Sequence, residues 1–189
     1  MTTFKSGILV AAALSCVITL SNEASAIEPI SEGTLMLSAE RMVSSNFSFY
    51  PGGMDWDNQI FGAPGNVPLG APRLGLDYFI VNGLSLGAHI GTGLYVDQGD
   101  STWGYVAVLP RIGYAFSLGS VIDFWPRLSA GFLHARNNTT GVISIEAMFL
   151  ANLDDRFAIE FGPALDVPLS STWGPDAIVG ANAGFVVRF

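Results

Sequence analysis

Apolar residues alternate with small or polar residues along most of the chain, and this period of two constrains the fold more than any other feature of the sequence. The alternation is clearest at the C-terminus. One face there is wholly apolar, and the opposite face carries glycine, asparagine and arginine beside one valine. The apolar face holds Val179, Ala181, Ala183, Phe185, Val187 and Phe189. Because successive side chains of a β-strand point to opposite faces, the pattern predicts strands with one apolar side.

Eight segments of the chain show this alternation. They cover residues 34–43, 72–81, 84–96, 103–117, 121–133, 142–151, 156–168 and 176–189. Each is about long enough to cross a bilayer at a tilt near 45°. Three prolines, Pro110, Pro126 and Pro163, fall inside these segments with outward parity, which predicts bulges or bends there.

The composition favours a membrane environment without helices. Half of the 189 residues are hydrophobic, 22 are glycine and 13% are charged, and the mean hydropathy is +0.44. After residue 20, however, the chain contains no run of about 18 apolar residues that would span a bilayer as a helix. A closed β-barrel with a lipid-facing exterior satisfies both observations. The net charge of −8 argues against nucleic acid as a partner.

The connections between the segments differ in length. Asn82-Gly83 is a two-residue hairpin signal, and 118–121 and 152–155 are also short. The other connections are longer and cover 44–71, 97–102, 134–141 and 169–175. With both termini in the periplasm, all short turns lie on that side. The sequence therefore predicts an all-β fold, an eight-stranded antiparallel up-and-down transmembrane β-barrel.

Residues 1–26 have the pattern of a secretory signal peptide. Lys5 precedes a mostly apolar stretch over 7–20, and Ala24-Ser25-Ala26 forms a cleavage site. Ala13 stands where a lipoprotein signal would have a large aliphatic residue before Cys16. We therefore expect ordinary cleavage after Ala26, with 27–189 as the exported barrel domain.

The mature chain resembles the small outer-membrane β-barrel proteins of Gram-negative bacteria, the eight-stranded OmpA-like or OmpX-like group. The matching segments are the signal end at Ala24-Ser25-Ala26, Gly75-Leu76-Asp77-Tyr78-Phe79, Pro110-Arg111-Ile112-Gly113-Tyr114 and the final Val187-Arg188-Phe189. The resemblance implies an outer-membrane location, lipid as surroundings and a terminal Phe189 that is presented to the barrel assembly machinery. It implies little about activity, because the fold serves structural, adhesive and enzymatic proteins.

Several charged residues have the parity that faces the barrel interior. They are Glu40, Asp77, His89, Arg111, Arg127, Glu146 and Glu160. An eight-stranded barrel is just wide enough for its side chains to fill it, so the two arginines should pair with the carboxylates. We expect an ion-pair network that plugs the lumen; a gated or proton-conducting constriction is the alternative. Four acids against two arginines leave negative charge that a carboxyl proton or a protonated His89 would offset.

An enzymatic role is not expected. Some outer-membrane barrels modify the acyl chains of lipid A with a serine and a histidine near the outer rim. Here His134 is the rim candidate, but it is followed by Ala135-Arg136 and not by the His-x-Ser of the deacylase family. No cofactor or metal is expected, since the acidic stretches 55–58 and 97–100 lack calcium-loop spacing.

The loop 44–71 is the longest connection and is rich in aromatic residues. Its candidate contact residues are Phe47, Phe49, Tyr50, Trp56 and Phe61. Exposed aromatics in a long loop indicate a surface for an extracellular partner, and a lid packed on the barrel mouth is the alternative. The expected function is a structural or surface-interaction role in the cell envelope. A narrow channel, a carrier of a small apolar ligand and a lipid-A-modifying enzyme are the alternatives.

Overall fold

The computed structural model describes residues 30–60, 68–96, 102–135, 137–170 and 175–189. The predicted signal peptide and Phe61 lie outside the described residues. The strands are β1 (Leu35–Tyr50), β2 (Gly53–Ile60), β3 (Arg73–Val81), β4 (Leu84–Val96), β5 (Thr102–Tyr114), β6 (Phe116–Ser117), β7 (Ile122–Ala135), β8 (Asn138–Asn152), β9 (Phe157–Pro168) and β10 (Ala177–Arg188). A 3₁₀ turn, Pro68–Gly70, precedes β3.

The sheet closes on itself as a barrel. Each barrel strand pairs antiparallel with its neighbours, and β10 pairs with β1, for example Val187 with Leu37. The short β6 continues β5 against β7, and β2 pairs with the far end of β1. The barrel wall therefore has eight strand positions, and the predicted eight-stranded antiparallel barrel is confirmed. Among the described residues, no helix is long and apolar enough to cross a membrane.

The outer face is apolar over most of the height of the wall. On β3, exposed and buried residues alternate strictly, with Leu74, Leu76 and Tyr78 outside. Near the end of the barrel where Ile30 and Phe189 lie, outward-facing aromatic rings form a ladder across neighbouring strands. Their centroids lie 4.7, 6.3, 5.1 and 5.7 Å apart along Tyr114, Phe116, Phe124, Phe149 and Phe161. Aromatic girdles of this kind mark the interface of a transmembrane barrel.

At the opposite end of the barrel, the strands extend beyond the segments predicted from the sequence. The predicted loop 44–71 contains the second half of β1 and all of β2, which pair from Val43 with Ile60 to Tyr50 with Gly53. The predicted loop 134–141 is mostly strand as well, since β7 and β8 pair up to Ala135 with Asn138. On β1 the alternation itself continues, with Val43, Phe47 and Phe49 outside and Ser44, Asn46 and Ser48 buried, so this half of the strand was detectable from the sequence. Where β7 meets β8, pairing continues through asparagine, threonine and glycine, which give no hydrophobic period of two.

β1 contains a bulge in the middle of the wall. Four residue steps on β1, from Ala39 to Val43, face two steps on β10, from Phe185 to Ala183. Arg41 takes a left-handed conformation with φ 56°. As a result, Glu40 and Arg41 both point into the lumen and are buried, whereas the outward parity resumes at Val43.

Candidate functional site

The lumen is stratified into two apolar layers with charged side chains between them. The layer toward the chain termini contains Ile30, Met36, Phe79, Trp125, Leu150, Ala158 and Val186. The layer toward the long connections contains Leu69, Ala107, Leu109, Leu133, Val142 and Ile178. The charged groups between them come from β1, β3, β4, β5, β7, β8 and β9.

Leu69 enters the barrel from the 3₁₀ turn and not from the wall. Its side chain is buried in the second apolar layer. Its carbonyl oxygen accepts hydrogen bonds from Arg41 Nη1 and Arg73 Nη2, both at 2.5 Å. The turn therefore covers the charged layer and is held by it.

Glu40 and Arg111 form the centre of the charged layer. Arg111 Nη1 lies 2.5 Å from Glu40 Oε1, and Arg111 Nε donates to Asp77 Oδ1 at 2.8 Å. A second bond from Arg111 Nη2 to Asp77 Oδ2 makes this pair bidentate. Ser38 donates to Glu40 Oε1 at 2.7 Å.

Arg127 joins three carboxylates from three strands. Its Nη2 lies 2.8 Å from Glu146 Oε2, and its Nη1 lies 3.2 Å from both Glu40 Oε1 and Glu160 Oε2. The guanidinium also covers the ring of Trp125 at 4.6 Å from the centroid. Glu160 has Arg127 as its one ion-pair partner among the described residues, and its Oε1 has no hydrogen-bond partner among them.

His89 lies between two arginines and a carboxylate. Its Nε2 is 2.9 Å from Arg73 Nη1, and its Nδ1 is 3.3 Å from Glu40 Oε2. Because a guanidinium only donates, Nε2 accepts from Arg73, and Nδ1 lies 3.2 Å from Arg111 Nη1 as well as close to Glu40. All seven charged residues singled out by parity therefore lie in one buried cluster, which we call the lumen network.

Three further members of the lumen network were not among the sequence candidates. Arg41 donates to Asp166 Oδ2 at 2.5 Å and Oδ1 at 3.1 Å, and its Nη2 also reaches Glu146 Oε1 at 3.2 Å. Arg73 Nη2 lies 3.4 Å from Asp166. Arg73 and Asp166 have inward parity and were detectable from the sequence. Arg41 has outward parity, and only the bulge turns it inward.

These additions change the charge balance of the lumen network. The lumen network contains five carboxylates and four guanidinium groups, whereas the sequence candidates comprised four carboxylates and two guanidinium groups. The expected surplus of two negative charges falls to one.

The network also contains a group of potential metal ligands. Glu40, His89 and Glu146 offer ligand atoms within 4.8 Å of one another. Each of the three also contacts a guanidinium. A divalent cation would lie among these positive charges, so we assign the three residues to ion pairing.

The aromatic candidates of 44–71 divide by position on the β1–β2 hairpin. Phe47 and Trp56 are register partners on the outer face, with stacked rings 6.0 Å apart. With the bulge taken into account, the strand rises roughly 25 Å from Leu35 to Phe47 at the usual tilt, which is the level of the second aromatic girdle of such a barrel. Phe49 lies further toward the tip and is exposed, and Tyr50 is half-buried. The predicted contact surface is therefore a pair of strands and not a loop.

His134 lies on the outer face near the end of β7. Its Nδ1 is 2.8 Å from Thr139 Oγ1 of β8. Phe189, the other terminal candidate, closes the wall, since its N donates to Leu35 O at 2.9 Å and its O accepts from Leu35 N at 3.1 Å.

Solved structures share this fold. Neisserial surface protein A is 12% identical with a TM-score of 0.61, covering 84% of this chain and 100% of that chain. The Yersinia pestis attachment invasion locus protein Ail is 15% identical with a TM-score of 0.53, covering 84% and 99%. The N-terminal β-barrel domain of Pseudomonas aeruginosa OprF is 12% identical with a TM-score of 0.50, covering 84% and 99%.

A second structure of Ail, in complex with the heparin analogue sucrose octasulfate, has a TM-score of 0.52 at 13% identity. No protein-family model matches the chain, and no curated protein sequence does. The chain has the fold of the eight-stranded outer-membrane barrels, as the sequence resemblance predicts.

Proposed function

We propose that this protein is a non-enzymatic barrel of the outer membrane, closed to ion flow, with a structural or surface-interaction role in the cell envelope. The observation that carries the proposal is the filling of the lumen. Two apolar layers enclose a lumen network whose guanidinium groups are all paired with carboxylates. A hydrated ion would have to displace these contacts.

A conductance measurement in planar bilayers tests the closed lumen. We expect no discrete current steps from the wild type. Leu69→Ala removes the apolar cover over the charged layer, so brief openings are expected from this variant. Leu74→Ala is the matched control, because Leu74 is 65% exposed on the lipid-facing side. Steady channels from the wild type would overturn the closed barrel and favour a narrow channel.

The β1–β2 hairpin supports the surface-interaction part of the proposal. Its tip carries the exposed Phe49 and Met54, and its other face carries Asp55 and Asp57. Ail is described as an attachment protein, and one of its structures holds a sulfated ligand. The aspartates of this hairpin disfavour a polyanion, so a partner without dense negative charge fits it better.

The proposal of a non-enzymatic barrel is supported by the surroundings of His134. The described partner of its Nδ1 is Thr139, and both side chains are exposed on the outer wall. A general base is normally oriented by a third group, and among the described residues no carboxylate contacts His134 or Thr139. Incubation of the folded protein with acylated lipid, followed by mass spectrometry of the lipid, tests this: released fatty acid that requires His134 would contradict it.

A further inference from the structure

A row of outward-facing side chains crosses four strands near the end of the barrel that carries the longer connections. Thr92 of β4 pairs with Val106 of β5, Val106 pairs with His134 of β7, and His134 pairs with Thr139 of β8. Three of these four residues are polar although they have the parity of the lipid-facing wall. The next row toward the termini, Ile90, Val108 and Phe132, is wholly apolar.

This polar row lies at the edge of the apolar band. Twelve residue steps separate Ile122 from His134, which amounts to roughly 30 Å along the barrel axis at the usual strand tilt. The apolar band of an outer-membrane barrel is about 25 Å tall. Measured from Phe124 of the aromatic ladder, the row lies ten residue steps or roughly 25 Å away, so it lies at the boundary between acyl chains and headgroups.

A depression of about 300 Å³ opens on the same row. It is lined by Thr92, Gly93, Gly104, Tyr105, Val106 and His134, and none of these is an acid, a lysine or an arginine. Gly104 has outward parity and no side chain, which leaves space beside Val106 on the side of the longer connections. The depression is open to the outside, so a ligand would lie against the wall and not be enclosed by it.

The hydrogen bonds around the depression orient its polar groups. Thr92 donates to Tyr105 O at 3.2 Å, so its hydroxyl oxygen retains lone pairs for an incoming donor. Thr139 engages His134 Nδ1 at 2.8 Å and leaves Nε2 as the ring atom for a ligand.

We propose that this depression binds the sugar headgroup of a glycolipid in the leaflet that contacts it. Among the described residues the lining of the depression is uncharged, and its hydroxyl and imidazole groups suit a hydroxylated, neutral ligand. A phosphate headgroup fits these groups less well, because none of them carries a fixed positive charge. The inference rests on the proposed outer-membrane barrel, since it requires the row to face lipid headgroups.

A detergent titration followed by NMR tests the site. The protein is folded in phosphocholine micelles and titrated with octyl glucoside, with a sugar-free octyl amine oxide, and with free glucose. We expect glucoside to shift the resonances of Thr92, Val106 and His134 in a saturable way. Thr92→Val and His134→Phe should each weaken this binding about tenfold, whereas Ser45→Ala, on the other side of the barrel, should not change it.

Other outcomes separate the sources of any binding. Equal resonance shifts with the sugar-free detergent would mean that the depression binds only the alkyl chain, which would overturn the proposal. Saturation by free glucose would indicate a soluble-sugar site and would overturn the lipid assignment. Failure of the proposed function would be seen separately, as a protein without the heat-dependent SDS migration of a folded barrel.

Discussion

Glu40 shows how the interior of a narrow barrel accommodates charge. Arg111, Arg127 and Ser38 all contact its Oε1, and His89 lies beside Oε2. A buried carboxylate with fewer partners would be strongly destabilising. These partners come from β1, β4, β5 and β7, so the charged residues also connect strands that are not neighbours in the wall.

Removal of one member of the Arg127–Glu146 pair is expected to leave the other buried without its main partner. The two residues are direct register partners, with Nη2 and Oε2 2.8 Å apart. Arg127→Ala or Glu146→Ala alone should lower the free energy of unfolding by about 3–5 kcal/mol. The double variant should cost less than the sum of the two. Urea unfolding in lipid vesicles measures all three; strict additivity would show that the residues are not coupled.

Gly75 is required by the packing around Glu40. A Cβ at this position would collide with the Glu40 carboxylate and the Arg111 guanidinium. Gly75→Ala should therefore destabilise the barrel by about 1–3 kcal/mol, as overpacking usually does. Gly119→Ala is the matched control, because a Cβ there meets nothing within 4 Å. Equal urea midpoints for the two variants would show that the charged layer has room to adjust.

At the level of elements, the period of two predicts the barrel wall but not its irregular parts. Leu74, Leu76 and Tyr78 alternate clearly enough to fix both the strand and its outward face. Arg41 could not be placed, because a bulge changes side-chain direction without any change in hydrophobicity. Leu69 could not be placed either: one leucine among prolines and glycines carries no periodic signal, and its burial depends on Arg41 and Arg73.

The last strand is expected to control assembly more than stability. Phe189 is 72% exposed and contributes two backbone hydrogen bonds to β1, which a substitution of its side chain retains. Phe189→Ser should therefore reduce the amount of barrel in the outer membrane while export to the periplasm continues. Phe185→Ser, an exposed aromatic on the same face of β10, is the control. Cell fractionation and immunoblotting measure both; normal membrane levels of Phe189→Ser would contradict the assembly-signal prediction.

At the scale of the whole molecule, the positions of the arginines allow a test of the orientation of the barrel in the membrane. Arg41, Arg73, Arg111, Arg127 and Arg188 are buried, and the one lysine of the sequence, Lys5, lies in the predicted signal peptide. Arg156 is exposed in the turn between β8 and β9, at the end of the barrel predicted to face the periplasm. The tip of the β1–β2 hairpin lies at the other end. Among the described arginines, trypsin therefore has one accessible site, Arg156, at the end predicted to face the periplasm.

We expect trypsin added to intact cells to leave Arg156 uncut, and to cut there only after the outer membrane is permeabilised. Gly52→Arg places a new site at the hairpin tip, where a Cβ meets nothing within 4 Å, and this variant should be cut in intact cells. Wild-type digestion gives the baseline, including any cut after Arg136. Mass spectrometry of the fragments identifies each site. Cleavage after Arg156 in intact cells, with Gly52→Arg protected, would mean that the barrel has the opposite orientation. The hairpin would then face the periplasm, which excludes an extracellular partner for it.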